Sequence, residues 1–149
     1  MQDQLIYSWY EQYKVGLFRF ALSILKDTHM AEDALQEAFV RLLRQNRLPD
    51  PEKVQAWLYR VVRNICYDTL RKRRREVEAS PIATPEKNWE FSDLIASLPQ
   101  KEQEILALRF IGGFSHKDIA VITGMTVHSV KKRYERAIAK LRTEMEVSI

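Results

Sequence analysis

FSHKDIAVITGMTVHSVKKRYERAIAKLR, residues 114–142, is the stretch that decides the fold, because it reads as two short helices on either side of a tight turn. Ser115 with Asp118 three residues on has the form of a capping box. Ile119, Ala120 and Ile122 then supply an inward face, and Ala120 is small enough for a second helix to approach closely. Gly124 can enter the left-handed conformation that ends a helix, and Thr126 can cap the next one. At about 100° per residue, Val127, Val130, Tyr134, Ala137, Ile138 and Leu141 share one side of that helix. His128, Ser129, Lys132 and Arg136 lie opposite, with Lys131 and Arg133 on the flanks. A helix that is apolar behind and basic in front suits a DNA major groove, where flanking cations meet phosphates and central side chains meet base edges. The charges alone also fit an ordinary solvated helix face.

Working outward, helical spacing continues upstream through Phe91, Leu94, Ile95 and Leu98, then PQKEQEILALRFI from Pro99. Before it, EVEASPIATPEKN between Glu76 and Asn88 has two prolines, small residues and no period, which predicts a flexible linker. Extended, that strap reaches roughly 40 Å at about 3.3 Å per residue. The N-terminal half is again helical. Leu5, Trp9, Tyr13, Leu17, Phe20 and Ile24 predict a helix over about 3–25. Asp27 or Thr28 caps a second helix with Ala31, Leu35, Ala38, Phe39 and Leu42 inward, ending near Asn46. After NRLPDP, Asp50 precedes Pro51 as a cap for a third helix through about Arg74, with Val54, Trp57, Leu58, Val61 and Ile65 inward. The expectation is an all-α chain of two small helical domains, residues 1–75 and 93–149, joined by a flexible linker over 76–92, the second domain being the helix-turn-helix.

The net charge of +4 over 149 residues is unevenly spread. Residues 1–75 carry 14 Lys and Arg against 9 Asp and Glu, residues 76–92 carry 1 against 4, and residues 93–149 carry 9 against 7. Two basic bodies around an acidic strap suit a polyanion, since phosphate neutralisation drives most non-specific nucleic-acid affinity; solvated surface charge fits the same counts. Within the third helix, Tyr59, Arg60, Arg63, Tyr67 and Arg71 lie away from the inward set. Arginine alternating with exposed tyrosine suits opened DNA, where bases stack on rings. Composition also fits tyrosines that cover core edges, followed by a basic tail. On the second helix Asp33, Gln36, Glu37 and Val40 share an outward face of opposite character, which suits a protein partner; taken alone, such a face is more often ordinary solvent-exposed surface.

Several classes are excluded or disfavoured. No apolar run approaches the roughly 18 residues of a membrane span, and the first ten residues lack a signal-peptide pattern, so cytoplasmic residence without membrane insertion is expected. One cysteine, Cys66, and three scattered histidines match no zinc spacing. There is no P-loop, no G-x-S-x-G and no paired-carboxylate loop, so neither an enzyme nor a cofactor is expected.

The order of parts resembles the bacterial RNA polymerase sigma factors, in their small extracytoplasmic-function (ECF) branch of the sigma-70 family. MAEDALQEAFVRLL is similar to the helix by which that family binds core polymerase, AWLYRVVRNICYDTLRKRRR to its −10-reading helix, and LPQKEQEILALRFIGGFSHKDIAVITGMTVHSVKKRYERAIAKLR to its −35-reading domain. The resemblance implies that Asp33, Gln36, Glu37 and Val40 face the clamp helices of the largest polymerase subunit, and that the polymerase flap is a further contact. It implies a flipped −10 base held by the loop from Asn46 to Asp50 with Asn64, and −35 contacts from Lys131, Lys132, Glu135 and Arg136. It further implies an acidic linker threading the polymerase cleft, control by an anti-sigma factor, and a monomer when free. Lys132 stands where the family often has a small residue, and Glu135 sets on the DNA side a carboxylate able to accept from cytosine. The alternative is a conventional helix-turn-helix repressor or activator that binds duplex DNA without polymerase.

Overall fold

A computed structural model describes residues 2–76 and 94–147; residues 77–93, with Trp89 and Phe91, lie outside them, and Glu76, expected to open the linker, is the last residue of the third helix. The chain divides into two compact units, Met1–Pro85 and Glu86–Ile149. All regular structure among the described residues is helical: α1 (Gln2–Leu25), α2 (Thr28–Leu43) and α3 (Val54–Glu76) in the first unit, then α4 (Gln100–Phe110), α5 (His116–Thr123) and α6 (Val127–Val147) in the second.

The α1–α2 connection is short because two local devices share it. Lys26 adopts the left-handed conformation (φ 57°) and its N–H returns to the Leu22 carbonyl at 2.8 Å, which closes α1. Asp27 then caps α2, its carboxylate accepting from the Met30 N–H at 3.0 Å. The stripe Ala31, Ala34 and Ala38 lets α2 lie close against its neighbours, while Leu35, Phe39 and Leu42 fill the remaining space. Beyond α2, the Asp50 carbonyl accepts from Lys53 and Val54 at 2.8 and 3.0 Å, so α3 starts at Val54, later than the sequence predicts, and α2 ends earlier, at Leu43.

The inward face of α3 is rotated from the sequence expectation. Val54, Leu58, Tyr59, Val62, Ile65 and Cys66 are buried, whereas Trp57 and Val61 are only half-buried. Tyr59 is 2% exposed and tilts against Phe20 with ring centroids 5.2 Å apart. Burial pushes both its phenol and the Cys66 thiol up, the latter to about 12, so both stay protonated at neutral pH. On α1, the exposed Leu5 and half-buried Tyr13 yield inward positions to Ile6 and Ala21.

Gly16 makes room for Tyr59: a Cβ at that position would stand 2.5 Å from the Tyr59 hydroxyl oxygen. Gly16→Ala gains about 1 kcal/mol of helix propensity but overpacks at a cost of about 1–3 kcal/mol, so net destabilisation is expected in thermal unfolding. In a Tyr59→Phe background the sign should reverse, because the colliding oxygen is gone. Equal effects in both backgrounds would show that the two residues do not meet.

In the second unit Ile95, Leu98, Leu106, Ala137 and Leu141 form one core cluster, with Tyr134 and Ile138 packed against it, and Ile105, Leu108, Ile119, Ile122 and Val130 are buried as well. The turn between α5 and α6 follows its sequence signals. Ser115 Oγ accepts from the Asp118 N–H at 3.2 Å, Gly124 ends α5 at φ 78°, and Thr126 Oγ1 accepts from the Ser129 N–H at 3.1 Å. Lys140 donates to the Ser97 carbonyl at 3.0 Å, and the Ser97 hydroxyl donates to Glu144, so the C-terminal half of α6 is tied to the segment preceding α4.

Candidate nucleic-acid interface

Capping at Thr126 and the buried residues Val130, Ala137 and Leu141 set the rotation of α6. His128, Lys131, Lys132, Glu135 and Arg136 are thereby exposed along one edge at spacings of three and four. This edge holds both the positions given by the wheel and those implied by resemblance, apart from Ser129, which is half-buried beside the cap. Val127, expected inward, is 47% exposed, whereas Val130 in the same turn is fully buried.

Arg133 departs from the sequence expectation. It was placed on a phosphate-facing flank, but its Nη1 donates to Glu102 Oε1 of α4 at 3.1 Å, and its side chain is only 29% exposed against 7% for Glu102. The pair links α4 to α6. Glu102, Gln103 and Glu104 are all buried on α4, and Gln103 Nε2 donates to the Leu98 carbonyl at 2.8 Å. The sequence reading missed Glu102, since its partner is 31 residues away and neither periodicity nor capping marks the pair.

On the first unit, Arg60, Asn64 and Arg71 are exposed, with Arg63 and Tyr67 half-buried in the same stripe of α3. The Arg63 guanidinium lies 4.9 Å from the Tyr67 ring centroid, a cation–π pair that orients both. Arg71 pairs with Asp68 one turn earlier. Tyr59 does not belong to this stripe: it is a core residue beneath it, which corrects its placement as an exposed stacking ring. Asn46 and Asp50 are exposed in the connection ahead of α3. The α2 face keeps Asp33 and Gln36 exposed and Glu37 and Val40 half-buried. Glu37 meets Arg41 at 3.3 Å, an exposed pair of little net strength that a partner can replace.

Among the described residues no group of three or more His, Cys, Asp or Glu could hold a metal ion, and no helix is long and apolar enough to cross a membrane. A helix-turn-helix with an exposed basic edge is the architecture of a double-stranded-DNA reader, here preceded by a separate helical unit with its own Arg/Tyr stripe.

Comparison with known proteins agrees. Residues 9–76 match Sigma-70 region 2, and residues 89–141 match Sigma-70, region 4. The chain is 30% identical over 147 residues to the ECF RNA polymerase sigma factor SigM of Bacillus subtilis (strain 168), spanning 89% of this chain and 90% of that protein. It is 35% identical over 139 residues to the ECF RNA polymerase sigma factor EcfG of Rhodopseudomonas palustris (strain TIE-1), spanning 85% and 77%. Among solved structures it is similar to the sigma factor RpoE in complex with the anti-sigma factor NepR from Bartonella quintana, with TM-score 0.75 and 25% identity over 95% of this chain and 99% of that one. The chain therefore belongs to the sigma-70 family, in its ECF branch. It binds core RNA polymerase and directs it to promoters, which decides against the stand-alone repressor.

Proposed function

We propose a division of labour in which residues 1–75 grip polymerase and melted −10 DNA, residues 76–92 connect, and residues 93–149 read the −35 element. On α2, Asp33, Gln36, Glu37 and Val40 meet the clamp helices of the largest polymerase subunit. The connection from Asn46 to Asp50 captures an unpaired −10 base together with Asn64, while Arg60, Arg63, Tyr67 and Arg71 follow the strand. α6 enters the −35 major groove, His128, Lys132, Glu135 and Arg136 towards base edges with Ser129 beside them, and Lys131 towards phosphate. The reading rests chiefly on that edge, whose rotation is fixed by Thr126 and the apolar residues behind it. The factor acts in the cytoplasm, carries no chemistry of its own, and is silenced by an anti-sigma protein that covers these faces.

Run-off transcription with core enzyme tests the front half. Glu37→Ala is expected to raise the concentration of this chain needed for half-maximal transcript by about five- to thirtyfold, the range for losing a contributing interface side chain, with full output at saturation. An unchanged titration would remove Glu37 from the polymerase contact.

A further inference from the structure

Arg133 sits on α6 between Lys132 and Arg136, yet it turns to Glu102, whose second oxygen, Oε2, is buried without a hydrogen-bond partner. A buried carboxylate served on one oxygen by one cation binds that cation tightly, because releasing the arginine would leave an uncompensated charge inside the unit. We infer that Glu102 is a positioning residue for promoter recognition: it withholds Arg133 from the DNA backbone, so that the exposed edge rather than the full cationic content of the helix meets DNA. The inference rests on the reading of α6 as the −35 helix and deepens it.

The consequence is countable. Each phosphate neutralised by a protein cation contributes about 0.9 to the slope of log K against log salt. Withholding Arg133 keeps one such contact out of binding, and that contact would strengthen cognate and unrelated sequences alike. The connection to Glu102 thus favours discrimination over affinity.

The test uses the full chain assembled with core polymerase on promoter fragments, titrated with salt. Glu102→Leu preserves volume and removes the acceptor, leaving Arg133 to turn outward. Its slope is expected to steepen by about 0.9, equivalent to an additional three- to fourfold loss between 50 and 200 mM salt, and its affinity for fragments with a scrambled upstream element should rise. The double variant Glu102→Leu/Arg133→Gln should return to the parental slope. A double variant shallower than the parent by about 0.9 would mean that Arg133 already touches phosphate, and would overturn the inference. Should Glu102→Leu not fold, the double variant, which leaves no buried charge unpaired, decides alone. Lys131→Gln serves as the control, with a slope expected to fall by about 0.9. If it does not, the −35 reading of α6 fails and takes the inference with it. If Lys131→Gln behaves as expected while Glu102→Leu leaves the slope unchanged, only the role of Glu102 is refuted.

Discussion

Arg136→Ala is expected to reduce holoenzyme affinity for its promoters by about ten- to a hundredfold, the loss of about 1–3 kcal/mol that follows removal of a well-placed base contact. Three observations put the side chain in position. It is exposed, it lies on the edge shared by His128 and Lys132, and the neighbouring Arg133 is held by Glu102 at 3.1 Å. Because Arg136 is exposed and lies on the side of α6 away from Ala137 and Leu141, thermal unfolding should be unchanged, which separates recognition from stability. The discriminating measurement compares fragments with an intact and a scrambled upstream element. A base contact is lost only on the intact one, so the parent and the variant should converge on the scrambled fragment. An equal loss on both would assign Arg136 to phosphate. On the proposed reading, Glu135, adjacent on the same edge, would make recognition depend on which base faces it, since a carboxylate accepts from cytosine but repels phosphate.

The features legible in the sequence are local ones. The caps at Asp27, Ser115 and Thr126 and the turn at Gly124 each depend on groups within a few residues, so a residue type at a fixed offset suffices to read them. The two helical units follow from apolar spacing and the proline-bearing strap for the same reason. Tyr59 was misread, and the Glu102 partner of Arg133 missed, because their surroundings come from elsewhere in the chain. A tyrosine on a helix wheel looks amphipathic, and only Gly16, on another helix, opens the space that draws this ring inside. That inward pull also rotates α3, at the expense of Trp57 and Val61. Likewise, an arginine in a basic helix looks like a phosphate ligand until Glu102 is brought beside it by the packing of α4 on α6. Both errors concern long side chains with a polar tip, for which burial depends on a partner rather than on residue type.

Phe20→Ala should produce the largest loss of stability. Phe20 is wholly buried on α1 and packs tilted against Tyr59, so truncation removes the support of a second large ring as well as its own contacts. Such substitutions cost about 3–5 kcal/mol, a large share of the stability available to a unit of this size at about 0.05–0.15 kcal/mol per residue. Calorimetry should show the transition of the first unit lowered on the order of 12–40 °C, with that of the second unit in place, since the buried residues packed around α6 come from the 95–141 segment. On the proposed polymerase contact, core binding should fail with the first transition, because the exposed face of α2 keeps its orientation only while Ala31, Ala34, Ala38 and Phe39 remain packed behind it. Phe20→Leu, which refills most of the volume, should recover much of both. A single transition shifted as a whole would mean that the units do not melt separately, and polymerase binding would then be inseparable from an intact −35-reading unit.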